Sequence, residues 1–264
     1  LVARRHAATM NDATAQVRHL WDDAADIYDE AIVPALADAH IALVRTLEPS
    51  VGERMLDLGC GTGRMSELVA RSGASVTAAI DLAPGMVDRA RRRLQPWGVP
   101  VHEMDAQSLT FADATFDAVV AGFSLMFCPD HAAALGEVRR VLRPGGRLAM
   151  SVWGLPDECD TIRVGRVTAA FGEGPAPDTP TGQSLGDPAH LRALLDAAGF
   201  TSIDMRSQVM RLRYPGPDAC WAAVLHVHGE RIPAARLAEA EAATRAQIAA
   251  VGLPLHNRAW FVSR

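Results

Sequence analysis

Apolar positions change their period along this chain, and the changes divide it. From Asn11 to Glu30 the residues Val17, Leu20, Trp21, Ala24, Ala25, Ile27 and Tyr28 recur at helical spacing, and Pro34 opens a second helical run reaching Leu47. The two runs predict an N-terminal helical cover over 11–48. After Pro49 the pattern becomes short apolar runs separated by amphipathic stretches, as expected of a parallel sheet with crossovers on both faces. Strands are predicted at 54–58, 75–80, 99–103, 116–122 and 147–153. Helices are predicted at about 63–72, from near Pro84, and over 131–142, where Pro144-Gly145-Gly146 stops the last one.

Between Gly154 and Asp187 the chain is rich in Gly, Pro, Asp and Thr, which predicts a mobile lid over 154–186 with at most one short helix near 161–171. Asp187-Pro188 then caps a helix running to Ala198, Gly199 ends it, and 203–214 alternates as a strand does. Residues 220–251 are helical by composition, and 259–262 forms a last strand. The segment 187–264 is therefore expected to complete the sheet, with a helical insertion at 215–255. The whole is an α/β fold with a seven-stranded, mostly parallel sheet whose first part, 49–153, carries the regular alternation.

A length of 264 residues suits one such unit with a cover, and 49% apolar with 22% charged residues excludes a disordered or collagen-like chain. Lys plus Arg number 26 against 31 Asp plus Glu, and the net charge of −5 repels a phosphate backbone and an anionic membrane surface. The one basic run, Arg89 with Arg91, Arg92 and Arg93, ends an amphipathic helix, where cations suit the dipole. Cys60, Cys128, Cys159 and Cys220 form no C-x-x-C pair, which argues against a zinc or redox site and for a reducing cytoplasm. The longest apolar stretch, 119–128, is half of what crosses a bilayer. Residues 1–10 read as a disordered leader, with arginines but no apolar run like that of an export signal.

The decisive segment is Leu56-Asp57-Leu58-Gly59-Cys60-Gly61-Thr62-Gly63, after a strand and before a helix. Glycines let the chain turn tightly and leave bare backbone for a ligand, and the following helix N-terminus offers N–H groups to an anion. A dinucleotide fingerprint requires glycine where Arg64 stands, and the Gly-Lys-Ser/Thr of a phosphate loop is absent. Asp81 follows the second strand, where a carboxylate can accept hydrogen bonds from both ribose hydroxyls of an adenosine. Asp105 follows the third, placed to accept from an adenine amino group while Met86 and Ala106 pack the ring. Acids at successive strand ends beyond a glycine turn share one crevice.

Asp57 to Gly63, Asp81, Asp105, Phe116-Asp117 and Leu142-Arg143-Pro144-Gly145-Gly146 resemble the S-adenosylmethionine-dependent methyltransferases of the Rossmann-like class, in particular the ubiquinone/menaquinone methyltransferase-like subgroup. The resemblance is strong over about 21–153. It implies S-adenosyl-L-methionine as cofactor, with Gly59, Gly61 and Gly63 at its methionine part and Asp81 and Leu82 at the ribose. Met86, Asp105, Ala106 and Gln107 fall to the adenine, and Ala121 to Phe123 to the sulfonium. Trp21 and Tyr28 resemble the helix that closes over the cofactor in this family, with Tyr28 a carboxylate contact. Asp57 is expected to orient the turn by accepting hydrogen bonds.

Methyl transfer draws much of its catalysis from alignment, so a dedicated base is optional and no catalytic residue is assigned. Candidates for the acceptor pocket are Trp21, Met126, Trp153, His226 and His228, with Phe123, Phe127 and His256 also in reach; each has an ordinary core or surface role as its alternative. The expected activity is methylation of a small molecule in specialised-metabolite biosynthesis, without metal, nucleic acid or membrane. Helical covers in such enzymes often pair, which admits a homodimer. Two rivals keep the cofactor: a non-methylating, cyclase-like enzyme, and a catalytically idle cofactor-binding scaffold.

Overall fold

The computed structural model describes residues 12–173 and 184–264. The expected leader 1–10 and part of the expected lid, 174–183, lie outside the described residues. Helices α1 (Asp12–Ile27) and α2 (Ala37–Leu47) precede the sheet. There follow β1 (Met55–Leu58), α3 (Arg64–Arg71), β2 (Val76–Asp81), α4 (Pro84–Leu94), β3 (Val101–Glu103), β4 (Phe116–Gly122), α5 (His131–Val141) and β5 (Leu142–Trp153). The C-terminal part contributes α6 (Asp160–Ala169), α7 (Pro188–Ala197), β6 (Asp204–Leu212), α8 (Pro217–His228), α9 (Leu237–Val251) and β7 (Leu255–Ser263).

The described strands form one sheet in the order β3-β2-β1-β4-β5-β7-β6, with only β7 reversed against its neighbours. Strand β1 is buried at every position and β4 at all but its last, because helices cover both faces. That is why both read as unbroken apolar runs rather than alternating ones. From β1 the chain steps outward to β2 and β3, then returns to β4 on the other side of β1. The carboxyl ends of β1 and β4 therefore part and leave a crevice, the usual ligand position in such sheets.

The architecture agrees with the seven-stranded α/β expectation, and the departures are local. The helical stretch expected to reach Glu30 widens at Tyr28–Ile32 into a π turn, a change of ladder register that leaves composition untouched. Pro144-Gly145-Gly146, expected to separate helix from strand, lies inside β5: Phe116 already pairs with Leu142, and the register shifts before Ala118. Gly145, at φ 76°, absorbs the irregularity. The 220–251 block is two helices rather than one, parted by Gly229 and by Pro233, which has no N–H to give a helix. Strand β7 starts four residues before the expected 259, a start concealed by the polar His256, Asn257 and Arg258. Within the expected lid, α6 buries Val164, Gly165 and Thr168, so this part is a packed helix.

Candidate functional site

The turn after β1 runs through three glycines at positive φ: Gly59 (68°), Gly61 (54°) and Gly63 (86°). Cys60 donates its N–H to Ile80 O at 2.8 Å, pinning the turn beside β2. Asp81, the last residue of β2, accepts from Gly61 N–H at 2.8 Å and Ala83 N–H at 3.0 Å through separate oxygens. Each oxygen keeps further acceptor capacity. Burial raises the Asp81 pKa, and the N–H groups of Ala83, Gly61 and Leu82 oppose that rise.

Asp105, beyond β3, accepts from the Gln107 backbone N–H at 2.8 Å and its side-chain amide at 3.0 Å. The other face of that amide accepts from Asp130 N–H at 2.8 Å, so Gln107 links two loops along the crevice. Phe123 follows β4 with φ 51°, a conformation uncommon for a residue with a side chain. Its N–H donates to Ser151 O at 3.0 Å, and its ring stacks on Trp153 with centroids 4.0 Å apart.

These groups surround a front chamber of about 710 Å³. Helix α1 roofs it with Val17 and Trp21, the ring of Trp21 meeting Tyr28 edge-on at 5.7 Å and Phe127 at 4.9 Å. Charge fastens this roof to α4. Asp22 accepts from Gly85 N–H at 2.5 Å, Asp26 pairs with Arg89, and Asp29 pairs with Arg93 at 2.7 Å while accepting from the Thr62 hydroxyl at 2.9 Å. The basic run, read from the sequence as a complement to the helix dipole, thus also ties down the cover through Arg89 and Arg93.

Of the residues singled out from sequence, Trp21, Tyr28, Gly59, Gly61, Asp81, Leu82, Met86, Asp105, Ala106, Gln107 and Phe123 meet around this chamber. Others do not line it. Asp57 is 1% exposed beneath the turn and accepts from the Ser66 hydroxyl at 2.5 Å; burial raises its pKa to about 7 against that hydrogen bond. Gly63 faces α4, where an added Cβ would lie 3.1 Å from Leu94. Ala121 and Met126 are core residues, at 0% and 1% exposure, and Trp153 stands behind Phe123. His226 faces the Leu20 carbonyl at 3.4 Å, and His228 packs over Gly165 on α6. Neither histidine reaches the chamber because α8 turns them toward α1 and α6.

Gly122, within the expected 121–123 segment, lines the chamber, which also uses Met104, Ser124, Cys128 and Pro129. Adjacency to Asp105 and Phe123 was the available signal for the first two of these; Cys128 and Pro129 carried none. Burial near Asp105, Asp81 and Asp130 pushes the Cys128 thiol up to about 12, so it stays a neutral wall atom. Tyr28 is also held protonated, first by burial and then by Asp81 and Asp57. Among the described residues, no cluster of His, Cys, Asp and Glu can hold a metal ion, and no helix is long and apolar enough to cross a membrane.

Residues 56–150 match a family model described as a methyltransferase domain. This match shows a methyltransferase domain within the chain. The methyltransferase domain therefore covers β1 through most of β5 and includes the glycine turn, both acids and Phe123. A demethylmenaquinone methyltransferase of Tropheryma whipplei (strain Twist) is 35% identical over 54% of this chain and 61% of its own length. The aklanonic acid methyltransferase DauC of Streptomyces sp. (strain C5) is 34% identical over 52% of this chain and 64% of its own. The chain thus spans less than two thirds of these curated relatives. Beyond the methyltransferase domain the fold likeness continues: the crystal structure of the (4+2)-cyclase SpnF superposes with a TM-score of 0.63 at 21% identity, covering 96% of both chains.

Proposed function

We propose that this protein is an S-adenosyl-L-methionine-dependent methyltransferase of small molecules, serving specialised-metabolite biosynthesis in the cytoplasm without a nucleic-acid partner. The observation that carries the reading is the convergence of bare backbone at Gly59 and Gly61 with carboxylates at two successive strand ends, all under the Trp21 and Tyr28 roof. The cradle has little slack. A Cβ on Gly61 would stand 3.4 Å from the Tyr28 ring, and one on Gly59 would collide with Ser124.

In this reading Asp81 holds a ribose and Asp105 with Gln107 an adenine edge, while Met86, Met104 and Ala106 pack the ring. When bound, the cofactor supplies a methyl carbon on positively charged sulfur, whose C–S electron pair stays with sulfur as an acceptor's pair forms the new bond. Phe123 and Tyr28 bound the reacting end and, with Trp21, keep water out. Since Tyr28 and Cys128 remain neutral, neither is the base; a proton released by a hydroxyl or amine acceptor leaves to solvent. Alignment is then the main contribution of the protein.

The acidic balance of the chain and the two named small-molecule relatives support a small acceptor. Incubation with methyl-labelled cofactor and a fractionated extract tests this: label is expected in a low-mass product, and label appearing only in RNA or protein would refute it. The fold shared with a cyclase over 96% of both chains makes a non-methylating reaction the second reading, for which the product would keep the mass of its substrate.

A further inference from the structure

Helix α1 covers the front chamber over a thin apolar seam. Where it meets the start of α4, the buried apolar side chains are Ala24 and Ala25 against Ala83 and Met86, with Trp21 and Tyr28 partly buried beside them. Three of the four buried ones are alanines, and a methyl removed from water contributes little, so burial alone holds this seam weakly. Charge supplies the other ties. Asp22, Asp26 and Asp29 follow one another down one side of the cover and meet Gly85, Arg89 and Arg93 in the same order along α4.

The last of these ties alone includes the glycine turn. Asp29 Oδ1 accepts from Arg93 at 2.7 Å and from the Thr62 hydroxyl at 2.9 Å. The other terminal nitrogen of Arg93 donates to the Thr62 hydroxyl at 2.9 Å and to its carbonyl at 3.1 Å. One guanidinium therefore joins roof, turn and α4. Ion pairs at a surface usually contribute little, but Arg93 and Asp29 are only 23% and 22% exposed, and Glu67 holds the same guanidinium from behind at 3.5 Å. A planar fork engaged on several sides is a fixed point.

Asp29 needs an outside anchor because it lies in the π turn. There the Val33 N–H reaches back to Tyr28 O, one residue further than in an α-helix, and Pro34 has no N–H to donate. The neighbouring Tyr28 ring lies over the turn, 3.4 Å from where a Cβ on Gly61 would stand. Whatever fixes Asp29 therefore fixes where that ring rests.

We propose that Arg93 is a positioning residue for the cofactor: through Asp29 it seats Tyr28 over Gly61, and when this joint is broken the roof lifts and the bound molecule leaves sooner. The proposal rests on the cofactor reading given above. Arg93 itself does not line the chamber.

Stopped-flow displacement of S-adenosylhomocysteine, set beside the ligand-free melting temperature, tests it on the parent, Arg93→Gln, Asp29→Asn, the double variant and Arg93→Lys. Arg192→Gln, which removes an exposed pair with Asp196 on α7, is the control and should dissociate as the parent does. Arg93→Gln is expected to release the ligand about tenfold faster, as for a lost hydrogen bond between charged groups. Asp29→Asn should also release it faster, and the double variant no faster than the faster single one, because both act through one joint. Arg93→Lys, a cation without the fork, should fall between the parent and Arg93→Gln. An Arg93 that only supports the fold would lower the melting temperature and leave the dissociation rate at the parent's value; that result, or rate effects that multiply in the double variant, overturns the proposal while leaving the cofactor reading intact. A parent that does not bind S-adenosylhomocysteine overturns both. Should Arg93→Gln not fold, Arg93→Lys and Asp29→Asn decide: faster release is expected in each, and the parent's rate in both overturns the role of Arg93.

Discussion

Replacing Gly59 by alanine probes how closely the turn is built, and Gly73 supplies its control. Both glycines have positive φ, 68° and 87°, so alanine at either bears the left-handed backbone penalty of about 1–2 kcal/mol. They differ in what the new methyl meets. At Gly73 nothing lies within 4 Å; at Gly59 the methyl would stand 2.3 Å from Ser124 Cβ and 2.8 Å from its Oγ. Ser124 cannot swing aside freely, because its hydroxyl donates to Leu58 O at 2.7 Å and closes the end of β1. Relief thus requires backbone movement, a further cost of about 1–3 kcal/mol by analogy with overpacked cores. That difference corresponds to about 2–12 °C in melting temperature for a chain of this size. Movement at Gly59 also carries Gly61 away from Asp81, so affinity for S-adenosylhomocysteine should fall in Gly59→Ala and hold in Gly73→Ala. Thermal melts and calorimetry on both variants read this out. Equal destabilisation with unchanged affinity would refute the close approach at Gly59.

Asp81→Asn places an amide N–H against the N–H of Gly61 or Ala83 and should weaken S-adenosylhomocysteine by at least about tenfold; unchanged titration heats would contradict that. Asp57 has its folded pKa raised from 3.8 to about 7, so its folded form holds the extra proton: its stabilisation is complete below about pH 4 and fades as pH rises through 7. At about 1.36 kcal/mol per unit the loss is on the order of 4 kcal/mol at most, and in urea unfolding Asp57→Asn should match the parent near pH 4 and exceed it at pH 8. Identical pH profiles would show that Asp57 stays ionised throughout. Thr168 and Thr244 share a buried hydroxyl pair at 2.8 Å between α6 and α9. Thr168→Val should cost about 1–3 kcal/mol by stranding the partner hydroxyl, and the double valine variant should recover part of it; additive losses would show that the pair is not coupled.

The legible parts of this molecule are those where one physical demand fixes the residue type. Buried parallel strands require unbroken apolar runs, which located β1 and β4 within a residue, and bare backbone requires glycine, which located Gly59 and Gly61. Acids at strand ends were legible because sheet topology brings those ends together. Residues whose role depends on which way a side chain turns were not. Met126 and Phe127 are adjacent and similarly apolar, yet one is core and the other touches Trp21. His226 and His228 looked available because composition does not reveal which helix face packs inward. Chain breaks set by one or two residues, as at Gly229 and Pro233, were blurred because the alanine-rich flanks favour helix on both sides.

The account stands on the front chamber being an adenosyl site, and equilibrium titration of the parent protein with S-adenosylhomocysteine, set beside an oxidised nicotinamide dinucleotide, tests that most directly. Saturable one-to-one heat with S-adenosylhomocysteine and none with the dinucleotide is the expected result. Binding of the dinucleotide in its place, or of neither ligand, would contradict it.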